Sequence, residues 1–121
     1  MIQKLTSGVV VAAAVLSAFF GAASAQAGGV SCSVSEVAFA GDSRVHVRCS
    51  NPARDNATGA LVFFFAVPLG DPRADVLVNL ANAADSQNRT IDIFFNDGDT
   101  SGASYGCLPG DCRRPTEMYL N

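Results

Sequence analysis

The chain has 121 residues, with eight Lys and Arg against eleven Asp and Glu, one histidine and four cysteines. Its only lysine, Lys4, lies in the leader described below, so the remaining surface is acidic and offers no basic footprint for nucleic acid or an anionic membrane. The length fits one small domain.

Lys4 supplies a positive start, Gly8 to Phe20 an apolar run, and Ala23-Ser24-Ala25 a small-residue cleavage site before Gln26. These are the three parts of a secretory signal. The apolar run is shorter than the roughly 20 residues of a spanning helix, and no later stretch resembles one. The expected organisation is a signal over 1–25 and a single disulfide-bonded domain over 26–121. The product is secreted or periplasmic, by bacterial export, with no membrane insertion once the signal is removed. Taking 25 residues from 121 leaves 96, carrying seven Arg against eleven acids, a charge of −4. An even cysteine count in a short exported chain reads as two disulfides, for which four cysteines permit three pairings.

From Val30 the residues alternate, with Cys32 and Val34 on one face, and after Ser35-Glu36 the alternation resumes at Val37 and Phe39. Such a shift predicts a bulge or bend in a long first strand. Gly41-Asp42-Ser43 is turn chemistry, and Val45 to Cys49 alternates as a second strand with His46 and Arg48 on its polar side. A hairpin closing near 40–43 brings Cys32 towards Cys49, which favours that pairing. Ser50 to Gly59 reads as a loop. Leu61 to Val67 is apolar on both faces, as a central strand would be. Asp71-Pro72 announces a helix, with Asp71 capping and Pro72 at the first helical position. Leu77, Leu80, Ala81 and Ala84 form its packing stripe. A fourth strand puts Ile91, Ile93 and Phe95 on one face. Asn96 to Gly106 is a glycine-rich loop, and Cys107 and Cys112 bracket a tight turn that suits a second local disulfide. Arg113 to Leu120 is the last strand. Three strands, a helix and two strands is the element order of the OB-fold, so the expected fold is mainly β with one helix, a five-stranded barrel. A helix across an open antiparallel sheet is the competing architecture.

Several constellations invite chemistry. Gly102-Ala103-Ser104-Tyr105-Gly106 matches the nucleophile pattern G-x-S-x-G, but a disulfide loop follows in place of a helix, and 96 residues are too few for an α/β-hydrolase. Asp97-Gly98-Asp99-Thr100-Ser101-Gly102 resembles the first half of a calcium loop, yet Leu108 stands where the bidentate glutamate belongs. Asp99-Thr100-Ser101-Gly102 echoes an aspartic-protease signature with its glycine displaced. His46 has no second histidine or free cysteine with which to bind zinc. Neither a metal nor a cofactor is expected. Asn56-Ala57-Thr58 and Asn88-Arg89-Thr90 match the N-glycosylation sequon, which matters only in a eukaryotic secretory pathway.

From the helix onward the chain resembles the secreted B subunits of bacterial AB5 toxins, particularly the subtilase-cytotoxin type. The resemblance rests on the OB order, the run Gln87-Asn88-Arg89-Thr90-Ile91-Asp92-Ile93-Phe94-Phe95 after the helix, and the close pair Cys107 and Cys112. It implies a glycan-binding subunit capable of forming a homo-oligomer, and carries over no sugar-contacting residue. The leading expectation is therefore an exported, non-enzymatic binding module for a glycan or an envelope or host protein. The recognition residues would be His46, Arg48, Asp97, Asp99, Thr100, Ser101 and Tyr105. A small secreted hydrolase or protein inhibitor comes second, and a structural envelope protein third.

Overall fold

A computed structural model describes residues 27–41 and 43–121. The expected signal, 1–25, and Asp42 of the first turn lie outside the described residues. The elements run β1 (Ala27–Cys32), β2 (Val34–Ala40), β3 (Arg44–Arg54), β4 (Leu61–Pro68), α1 (Arg73–Gln87), β5 (Ile91–Asn96), a 3₁₀ turn (Ser101–Tyr105), β6 (Cys112–Arg113) and β7 (Glu117–Leu120).

The fold is mainly β with one helix, and its ladders form two sheets, of order β1-β5-β7 and β2-β3-β4-β6. It is not the closed five-stranded barrel expected from the sequence. Two of the five expected strands are each broken in two. The first divides at Ser33, between β1 and β2, so its halves serve different sheets. The last divides between β6 and β7 around Pro115, which has no N–H to give a ladder. A register shift between Val34 and Glu36 marks the irregularity that the alternation foretells.

Strand β3 is longer than expected, since Ser50 to Arg54 extend it instead of starting a loop. The cause is local. Asn51 donates through its side-chain amide to the Ser31 carbonyl and accepts the Ser33 N–H, at 2.7 and 2.9 Å, replacing ladder bonds at the bend. Pro52 is tolerated because it falls within the register shift between Arg48 and Ala53.

Helix α1 begins much as its sequence prescribes. Pro72 has helical φ −55 and ψ −24, and the Asp71 carboxylate accepts the Arg73 N–H at 2.8 Å while pairing with its guanidinium at 3.1 Å. Its far end is closed by Asn88 in the left-handed region at φ 55, whose N–H, with that of Arg89, reaches the carbonyls of the last turn. The helix touches strands of both sheets. Leu77, Ala81 and Ala84 are buried, and Leu80 packs at the margin. With Val45, Val47, Phe65, Val67, Ile91, Ile93 and Phe95 they form one core, in which the Phe65 and Phe95 rings lie 5.7 Å apart. Each large side chain so buried stabilises the fold by roughly 1.5–3 kcal/mol. Phe39 points towards this side from edge strand β2 but remains 67 % exposed.

Both disulfides pair as the strands suggest, Cys32 with Cys49 and Cys107 with Cys112, with Cα separations of 5.2 and 5.1 Å. Cys32 belongs to the three-stranded sheet and Cys49 to the four-stranded one, so the first bridge ties the sheets together. Among the described residues no helix is long and apolar enough to cross a membrane.

Candidate functional site

Side chains alternate along β3, so burying Val45, Val47 and Cys49 in the core turns Arg44, His46 and Arg48 to the outer face of the four-stranded sheet. On β4, whose Ala66 and Phe64 pair with His46 and Arg48, the same face carries those two apolar residues. Part of this outer face is covered. Ala66, Cys107 and Cys112 form a second small core flanked by Phe64 and Tyr105, and the Tyr105 hydroxyl donates to the Ala66 carbonyl at 3.2 Å. Strand β4 is therefore apolar on both faces because one faces the main core and the other lies beneath the Cys107–Cys112 loop.

Between this loop and the sheet lies a cleft of about 200 Å³, lined by Arg44, His46, Phe64, Gly106, Leu108 and Asp111. His46 meets Phe64 edge-on at 5.2 Å. Both its ring nitrogens are out of solvent with no hydrogen-bond partner among the described residues. The nearest carboxylate, on Glu36, is 4.0 Å from Nε2 and beyond hydrogen-bond reach. Burial lowers the His46 pKa below its ordinary 6.5, the Arg44 charge lowers it further, and Glu36 opposes them. The imidazole is thus neutral at pH 7. Arg44 runs beside Gly106, which has φ 90, and a Cβ at that position would collide with the guanidinium. Its Nη1 makes one long contact, 3.5 Å, with the Tyr105 carbonyl. Arg44 and Asp111 line the same cleft, yet no ion pair joins them among the described residues.

A buried charge pair holds the surrounding loops. Arg113 and Asp55 have fully buried side chains and meet at 2.7 Å. The Arg113 guanidinium also donates to the carbonyls of Pro109 and Cys112 and to the Thr58 hydroxyl. Asp55 accepts the N–H groups of Ala57, Thr58 and Gly98. The pair therefore fastens the 55–59 turn, the start of the 97–106 loop and the disulfide loop to one another. Burial alone would raise the Asp55 carboxyl, but the Gly98 N–H, Arg113 and the N–H groups of Ala57 and Thr58 outweigh it and hold the carboxyl below the usual 3.8.

The residues singled out in the sequence scatter over this frame. His46 lines the cleft. Arg48 lies outside it, exposed, with its guanidinium 5.7 Å from the ring centres of both Phe63 and Phe64. Tyr105 anchors the loop to the sheet through its hydroxyl and contacts Arg44 through its carbonyl. Asp99 accepts the Ser101 N–H at 2.9 Å, and the hydrogen bonding of Ser101 keeps its carboxyl below the usual range. Thr100 and Ser101 are exposed at the start of the 3₁₀ turn and do not line the cleft. Both Asp97 carboxylate oxygens are buried without a hydrogen-bond partner among the described residues. They sit against Gly28, where an added Cβ would lie 2.8 Å from Oδ1.

Ser104 is exposed, and its hydroxyl donates to the Ser101 carbonyl at 3.3 Å. Among the described residues no three His, Cys, Asp or Glu side chains converge as metal ligands. Sequence reasoning missed Arg44, Phe64 and Asp111 as neighbours of His46. The one available signal for Arg44 was its even spacing from His46 and Arg48. No protein-family model, curated protein or solved structure matches the chain.

Proposed function

We propose that this chain is an exported, non-enzymatic binding module, and that it recognises a glycan, or a group on an envelope or host protein, in the cleft beneath the Cys107–Cys112 loop. The observation that carries this is the pair Arg44 and Asp111, opposite charges that share one cleft without neutralising each other, beside the half-buried Phe64. Small-ligand sites combine an apolar wall with a few convergent polar groups whose bonding capacity is unspent. Arg48, held over Phe63 and Phe64, extends the surface beyond the cleft. The loop from Asp97 to Tyr105 adjoins the cleft through Tyr105, whose carbonyl contacts Arg44.

Export is supported by two disulfides in a short chain, which form and persist in oxidising compartments. An OB-like plan is supported by the strand path. The first strand is shared by both sheets, the helix follows the third expected strand, and β6 pairs in parallel with β4 before β7 pairs antiparallel with β5. Assembly as a toxin-type B subunit would give a ring, which light scattering on the purified protein measures directly. A glycan array and a pull-down from envelope extract test the binding role. Specific capture that is lost in Arg44→Gln supports it, and blank results in both at high micromolar protein overturn it.

A further inference from the structure

The class of ligand follows from which bonds the cleft leaves unmade. Arg44 brings one positive charge and Asp111 one negative charge to its lining, and at neutral pH His46 brings none. A small anion would be drawn to Arg44 and repelled by Asp111, and a small cation would meet the reverse. Arg44 has several N–H donors and, among the described residues, only one long hydrogen bond, at 3.5 Å. The Asp111 main chain is occupied, its carbonyl accepting the Phe63 and Phe64 N–H groups at 2.9 and 3.0 Å, but its carboxylate enters no ion pair among the described residues. One wall thus needs acceptors and another needs donors. A hydroxyl supplies both, whereas a carboxylate only accepts and an ammonium only donates. Phe64 and the 64 % exposed Leu108 add apolar surface to the same lining. A volume of about 200 Å³ lies below the range typical of drug-sized ligands and suits a single ring.

We infer that the cleft holds one uncharged sugar ring, its hydroxyls bridging Arg44 and Asp111 and its carbon–hydrogen face resting on Phe64. This deepens the reading of the cleft as the binding site and rests on it.

The test is an NMR titration of the oxidised protein with the methyl glycosides of glucose, galactose and mannose, and in parallel with glucuronate and with glycine. At least one neutral glycoside is expected to shift the resonances of Arg44, His46 and Phe64 saturably. Asp111→Asn leaves the main-chain bonds in place and is expected to weaken that binding about tenfold or more, as the loss of a charge-assisted hydrogen bond does. Asp75→Asn, on the exposed helix surface, should leave it unchanged. Phe64→Leu gives a second variant, with an amide fingerprint confirming that each folds. Binding of glucuronate or glycine in the cleft without any neutral glycoside overturns the inference and leaves the binding role standing. Neutral binding that survives Asp111→Asn also overturns it. Silence towards all the probes overturns it as well, and the array and pull-down then decide separately whether the binding role falls too.

Discussion

Asp55 and Arg113, 58 residues apart in the chain, meet at 2.7 Å with both side chains removed from solvent. Each is surrounded by further hydrogen bonds, so neither charge is left bare. Removing one partner strands the other in a medium that solvates it poorly. Arg113→Ala and Asp55→Ala should each cost about 3–5 kcal/mol, a large part of the stability of a small domain. The double replacement by apolar residues of similar volume should cost less than either. Urea denaturation with the disulfides intact measures all three, and additive losses would show that the two side chains are not coupled.

Acidity should weaken the fold through two groups, one beginning to act below pH 6.5 and the other below 3.8. The His46 pKa is lowered by its burial and by Arg44, with Glu36 opposing, so the unfolded chain takes up this proton at a higher pH than the folded one. The stability tied to the neutral ring is complete above 6.5 and is lost as the pH falls from 6.5 through the lower folded value. The Asp55 carboxyl is also lowered, so its contribution is complete above 3.8 and disappears as the pH falls through its folded value. Urea midpoints between pH 7.5 and 3 should fall in both ranges. His46→Gln should flatten the upper range alone.

The two disulfides should differ in what their loss does. Cys32 and Cys49 are separated by 17 positions and Cys107 and Cys112 by 5. Chain entropy then gives about 3 kcal/mol for the first and about 2 for the second. Cys32→Ala with Cys49→Ala should therefore lower the urea midpoint more. Cys107→Ala with Cys112→Ala should release the cover from Ala66 and Phe64, and weaken ligand capture out of proportion to its effect on stability. Equal stability losses with unchanged capture would contradict this.

Gly106→Ala should disturb the cleft by displacing Arg44 without replacing it. The position has φ 90, which a β-carbon disfavours, and the added carbon would collide with the Arg44 guanidinium. A loss of roughly 1 kcal/mol or more is expected from the backbone strain, together with displaced Arg44 side-chain resonances. Gly110→Ala, with nothing within 4 Å of its added carbon, serves as the control.

Much of this architecture was legible because its signals are local. Alternation in Val45 to Cys49 and in Ile91 to Phe95 sets which face is buried, and the break at Ser35-Glu36 appears as a register shift. Both disulfides join positions that the neighbouring strands or turn already bring close. The partition into two sheets was not legible, since the break at Ser33 depends on Asn51, eighteen positions away, reaching across with its side chain. Asp55 sits among turn formers and looks like any other polar loop residue. Its partner could be recognised only once β6 was known to pair in parallel with β4. The Arg44 and Asp111 cleft is hidden for the same reason, because its walls come from β3 and from a loop near the C-terminus.

The pairing of β6 with β4 also fixes when the protein can finish folding. The residues from Cys112 to Leu120 bring the counter-charge for Asp55, an edge for β4 and a neighbour for β5. Without this stretch the Asp55 carboxylate has no counter-charge, and β4 and β5 each lose one of their two neighbours. One stretch of the chain thus completes both sheets at once, and the native state needs it in place.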